Sequence, residues 1–156
     1  MNKNDIVEYY FNQIYQTAGF KNQVKLIDEI FGDTKIIKPL FLHVIENFSQ
    51  IEIDRRDKFY YLIDKALEKV KIDLDFIENT GNLTLMQHLI ENCNLKITKG
   101  KLRDFLKNCH PTLLASINFR RKIGEKLDKK EILKMIENEN LSNEKIKQFY
   151  KIINNE

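Results

Sequence analysis

The sequence predicts an all-α fold, and three observations carry that prediction. Apolar residues recur at helical spacing along most of the chain, as in Ile6, Tyr10, Phe11 and Ile14. Five glycines and two prolines in 156 residues are too few for the many turns of a β protein. Only Ile72 to Ile77 alternates for long enough to tempt a strand assignment, and it lies in a connector.

Composition narrows the class. With 42% apolar and 31% charged residues, a chain of this length can bury a real core and falls outside the disordered class. Cys93 and Cys109 are two and widely spaced, so they give no disulfide framework and are expected reduced. The first thirty residues, with Asp5 and Glu8 among them, show no signal-peptide pattern. No apolar run approaches the ~20 residues that a membrane helix needs. The expectation is one soluble domain over 1–156, cytoplasmic or otherwise intracellular (delivery into a host cell included), with no membrane partner.

The elements follow in order. Asn4 or Asp5 caps a first helix carrying Ile6, Tyr10, Phe11, Ile14 and Tyr15, which Gly19 ends. A second carries Val24, Leu26, Ile27, Ile30 and Phe31. The third spans Ile37 to Phe48 with Pro39 in its first turn. Asp54 caps a fourth, whose stripe is Phe59, Leu62, Ile63, Ala66, Leu67 and Val70. The chain then runs through an extended turn, Ile77 to Asn82, where Gly81 supplies a positive φ. Thr84 and Gln87 form a capping-box pattern opening a short helix that Asn94 closes. Thr98 starts the next helix. His110-Pro111-Thr112 starts a further one, with Leu113, Leu114 and Ile117 on its apolar side. Asp128 with Glu131 caps the penultimate helix and Ser142 the last, giving roughly nine helices. The short connections imply that successive helices pack as antiparallel pairs.

One block recurs. Leu42-His-Val-Ile-Glu-Asn47 matches Gln87-His-Leu-Ile-Glu-Asn92 at five of six positions, 45 residues apart, counting Val and Leu as alike. Ala66-Leu67-Glu68-Lys69-Val70 reads as the end of a leucine-rich helix. Ile72-Asp73 and Asn79-Thr80-Gly81-Asn82 read as a hairpin, and Leu83-Thr84-Leu85 as the next opening. This stretch resembles the junction between two ankyrin repeats, and His110-Pro111-Thr112-Leu113 resembles a scrambled form of the family's repeat opening. The alanines that pack ankyrin helices are missing, and 45 exceeds the family's usual period. The resemblance implies an α-solenoid of stacked helix pairs over 37–138, with capping helices in 1–36 and 139–156. An irregular helical bundle is the alternative architecture. The resemblance also implies a partner protein held at the hairpin tip, Glu78, Asn79, Thr80 and Asn82, and along the inner helix edge at Gln87 and Glu91.

Catalytic signatures are absent: no glycine-rich phosphate loop, HExxH, CxxC or GxSxG occurs. His88, Cys93, Cys109 and His110 lack the close ligand pairs of a zinc site. The expectation is a non-enzyme without cofactor or metal.

Charge supports a second reading. Residues 96–130 hold eleven Lys and Arg against three Asp and Glu, a local +8 in a chain of net +3. The same count describes a solvated lysine-rich face. Leu102 to Lys122 reads as two helices around the turn Cys109-His110-Pro111, which resembles a helix-turn-helix. Its second helix would offer Thr112, Ser116, Asn118, Arg120, Arg121 and Lys122 to bases and phosphates. Two function classes therefore stand: an adaptor, inhibitor or effector that binds another protein, an acidic surface included, or a nucleic-acid-binding protein.

Overall fold

The computed structural model describes residues 2–155, and among them it contains ten α-helices, three 3-10 segments and no strand. The chain divides into two compact units, with the break between Lys71 and Ile72, inside the span read as continuous repeats.

The first unit holds α1 (Lys3–Gln16), α2 (Phe20–Ile30), α3 (Thr34–Asn47) and α4 (Asp57–Leu67). α1 packs on α2 and α3, and α4 packs on the same two, so a four-helix arrangement closes around Ile14, Ile27, Leu40, Phe41 and Phe59. Several boundaries differ from expectation. Asn2, not Asn4 or Asp5, caps α1 by accepting from Asp5 N–H at 2.9 Å. Asp33 caps α3, which starts earlier than predicted and leaves Pro39 in its second turn. Asp54 lies in a 3-10 segment, Ile53–Arg55, and α4 begins after Arg56 without a side-chain cap. Gly19, at φ +86°, makes the α1–α2 turn in a conformation that a β-carbon would strain. Lys58, only 4% exposed, closes that turn by donating to Tyr15 O, with Gln23 Nε2 donating to Thr17 O at 2.7 Å.

The second unit holds α5 (Leu74–Asn79), α6 (Leu83–Asn92), α7 (Lys99–Asn108), α8 (Ile117–Lys126), α9 (Lys129–Asn138) and α10 (Asn143–Ile153). α5 packs on α6 and α7. α6, α8 and α10 gather around a 3-10 segment, Pro111–Ala115. The core includes Leu85, Leu89, Leu114, Phe119 and Phe149. Ion pairs tie the outer helices, with Lys101 to Asp75 at 2.7 Å and both Lys99 and Arg103 to Glu131 at 3.0 Å.

Three expectations need correction in this unit. The first half of the predicted extended turn is helical, since Ile77, Glu78 and Asn79 end α5: Asp73 caps it by accepting from Phe76 N–H, and Leu74 and Ile77 bury one face at i and i+3. Only Thr80, Gly81 and Asn82 make the turn. Asn82, not Thr84, caps α6 through Leu85 N–H at 3.0 Å, and Cys93 rather than Asn94 is its C-cap. The helix predicted from Pro111 is instead a 3-10 segment followed by a new helix that Ser116 caps. That break changes the phase of the pattern, so Ile117 points outward at 67% exposure.

The recurring block has a local explanation. Asn47 Nδ2 donates to His43 O at 2.8 Å, and Asn92 Nδ2 donates to His88 O at 2.9 Å. Each asparagine bonds back to the carbonyl four residues before it, at the end of its helix. Ile-Glu-Asn also ends α5 at Asn79 and α9 at Asn138, so the triplet marks helix C-termini in both units.

Candidate interaction surface

Glu91, Ser116 and Asn118, drawn from the two sets of residues singled out in the sequence, bond to one another where α6, the 3-10 segment and α8 meet. Ser116 Oγ donates to Glu91 Oε2 while accepting from Phe119 N–H at 3.2 Å. Asn118 Nδ2 donates to Glu91 O at 2.9 Å and to Glu91 Oε1 at 3.3 Å. Ser116 is thus the cap of α8, and Glu91 is the acceptor that anchors it to the end of α6. Arg120 Nε donates to Leu114 O, and its Nη2 to Gln148 Oε1 on α10. Lys122 Nζ reaches Cys93 O at 3.4 Å. Thr112 stays exposed in the 3-10 segment, where its N–H donates to His110 Nδ1. Among the basic residues proposed for nucleic acid, Arg121 alone has an exposed side chain with no bond to a named residue.

The tip residues behave similarly. Thr80 Oγ1 donates to Ile77 O at 2.8 Å and Asn82 is a cap, so both serve the backbone of the turn. Glu78 and Asn79 are exposed in the last turn of α5, and Gln87 is half-buried in the middle of α6.

A cavity lies nearby, between α8 and α10. It has a volume of about 340 Å³, and its lining includes Ile117, Arg120, Arg121, Gly124, Glu125 and Lys151. Ile117 supplies a large exposed apolar surface, and among the described lining residues three cations stand against one carboxylate, that of Glu125. A methyl group added at Gly124 would meet no atom of another element within 4 Å, so the groove floor is open there. Glycine in a helix interior costs roughly 1 kcal/mol relative to alanine. No crowding requires it at this position.

Of the groove's residues, Arg120 and Arg121 were named from the sequence, and Ile117, Gly124 and Lys151 were not. The signal for Ile117 was available: Ser116 followed by a helical run is a capping residue, and an element restarted there cannot keep the earlier phase. Lys151 lies 30 residues from Arg121 in sequence, and only the packing of α10 on α8 joins them.

The titratable groups around these helices are mostly tied to structure. Burial pushes the thiols of Cys93 and Cys109 up to about 11, against small opposing effects of Lys122 and Lys145. Both cysteines are free and buried. Lys145, 5% exposed, donates to Lys107 O at 2.8 Å at the end of α7, and burial lowers its pKa. Among the described residues, no three His, Cys, Asp or Glu side chains are grouped to hold a metal, and no helix is long and apolar enough to cross a membrane. Comparisons with protein-family models, with curated proteins and with solved structures returned no match to this chain.

Proposed function

We propose that this chain is a non-catalytic protein-interaction module whose α8–α10 groove holds an acidic segment of a partner protein. The observation that carries this reading is Ile117, 67% exposed beside Arg120, Arg121 and Lys151 over an open groove floor. An exposed apolar side chain ringed by one sign of charge matches a segment that presents an apolar anchor flanked by carboxylates. The thiols, buried and protonated near neutrality, are poor nucleophiles. An ankyrin-like relationship over 66–92 belongs to the same proposal and would add Glu78, Asn79 and Gln87 to the contact surface.

Nucleic acid is the competing ligand for the same cations. Of the side chains meant to read bases, Ser116 and Asn118 are engaged with Glu91, which leaves Thr112 and the cations to that reading. Fluorescence anisotropy with a labelled peptide of glutamate and leucine, beside labelled duplex and single-stranded DNA, separates the two. The proposal expects peptide binding that Ile117→Asp and Arg121→Glu each weaken by about tenfold, a loss of ~1.4 kcal/mol. DNA binding that falls steeply with salt and ignores Ile117→Ala would instead support the nucleic-acid reading.

A further inference from the structure

The α8–α10 groove, read as a site for an acidic segment, asks for an apolar anchor between carboxylates, and the chain itself carries such a segment. The large apolar side chains exposed among the described residues are Tyr9, Phe20, Ile53, Ile117, Leu133 and Tyr150. Of these, Ile53 alone stands between two carboxylates, Glu52 and Asp54, and at 80% it is the most exposed. Asp73-Leu74-Asp75 repeats the pattern in sequence, but Leu74 is buried in the core of its unit. A single exposed apolar residue is ordinary on a protein surface, so exposure by itself assigns nothing to Ile53. Its chemistry and its support do.

The turn that presents Ile53 is held firmly. Ile51, two residues earlier, is buried and anchors the turn in the first unit. Arg55 N–H donates to Glu52 O at 2.9 Å and Arg56 N–H to Ile53 O at 3.3 Å, which makes the 3-10 segment. Glu52 N–H donates to Tyr15 Oη at 3.3 Å, and Arg56 Nε donates to Ile51 O at 3.1 Å. The anchor and its carboxylates therefore sit on ordered backbone, and docking them costs little conformational entropy. Two arginines follow the turn and keep their charge. Arg55 lies 5.2 Å over the Tyr15 ring and Arg56 4.6 Å over the Phe48 ring, so both guanidiniums are drawn back onto the unit behind the turn. Arg55 also pairs with Glu52 at 3.4 Å, but this pair is solvent-exposed and gives up little when Glu52 takes a second cation.

We infer, resting on that reading of the groove, that the α8–α10 groove of one copy takes the Glu52-Ile53-Asp54 turn of a second copy of this chain. Ile53 packs on Ile117 above the open floor at Gly124, and Glu52 and Asp54 meet Arg121 and Lys151. Opposite charge around an apolar centre is the complementarity that fixes such a contact. Each contact is heterologous, because it joins two different surfaces rather than one patch to itself. A contact built on one short turn buries little area, so the association is weak and depends on protein concentration.

Sedimentation equilibrium of the full chain over a series of concentrations tests this. The average mass is expected to rise with concentration above that of one chain, and Ile53→Ser and Arg121→Glu should each weaken association by about tenfold. Both side chains are exposed, so melting curves should stay unchanged. Arg121→Glu keeps its turn and Asp54→Lys keeps its groove, so a mixture of the two should associate at concentrations where neither variant does alone. A chain that stays monomeric yet binds the glutamate–leucine peptide would overturn the inference and leave the groove reading standing. A monomeric chain that ignores the peptide would remove both. Self-association that survives Ile53→Ser and Arg121→Glu would also overturn the inference, because another surface would then carry it.

Discussion

Ser116 Oγ donates to the Glu91 carboxylate across 25 residues of chain, and this bond joins the start of α8 to the end of α6. Ser116 sits where the 3-10 segment ends, so the contact fixes the direction in which α8 leaves and with it the exposure of Ile117. Removing the acceptor should therefore act on stability first. Glu91→Ala is expected to destabilise the second unit by about 1 kcal/mol, the usual net scale of an ordinary hydrogen bond, because this one lies at the surface. A double-mutant cycle with Ser116→Ala in urea should give a coupling of similar size. Additive effects would mean that the two residues act separately.

Gly124 gives a complementary prediction. Gly124→Ala should raise the stability of α8 by up to about 1 kcal/mol, because the helix interior prefers alanine and the added methyl meets open space. Gly124→Gln should also stabilise the helix and yet weaken peptide binding, because its longer side chain occupies the groove. Thermal melts and anisotropy on the same samples separate the two effects.

Lys58 and Lys145 are the two buried charged side chains among the described residues, and each caps a helix C-terminus by donating to a carbonyl. Desolvation lowers the pKa of both, with the Arg55 charge adding to the effect at Lys58. Between that lowered value and the ordinary 10.5, the unfolded chain holds more protons than the folded one. The stability attributable to these residues therefore rises with pH across that window. A 13Cε titration by NMR should place both lysines below the exposed lysines. Lys145→Met should cost stability by freeing Lys107 O, whereas Lys145→Arg should retain part of the cap.

The thiols shift in the opposite sense for stability. Cys93 and Cys109, raised from 9.0 to about 11, contribute stability that is whole below pH 9 and lost as pH rises toward 11. At pH 8 both should react with a disulfide reagent only as fast as the second unit opens. Labelling at the rate of a free cysteine peptide would contradict their burial.

Much of the fold was legible because long amphipathic helices announce themselves. The stripe of Phe59, Leu62, Ile63 and Ala66 gave α4, and these four residues are fully buried. Caps were readable at Thr98, Ser142 and the Asp128–Glu131 box, whereas Asn2, Asp33 and Asp73, which make the same kind of bond, were not read as caps. Short elements were not, because α5 owes its six residues to the Asp73 cap and to packing on α6 and α7. The break at Ser116 was missed because a proline start and a continuous apolar run mimic one helix. Buried lysines were missed because nothing local distinguishes Lys58 or Lys145 from a solvated lysine. The residues chosen for the site were polar, but polarity alone does not separate a contact residue from one bonded within the chain. Glu91, Ser116 and Asn118 belong to the second kind.

The most direct test of the account follows the backbone amides by NMR while the glutamate–leucine peptide is added to the full chain. The account predicts shifts concentrated at Ile117, Arg121, Gly124 and Lys151, lost in Ile117→Asp and retained at moderate salt. Shifts spread evenly over the lysines of 96–130 and abolished by salt would contradict it, because they would reduce the groove to a charged surface without a docking site.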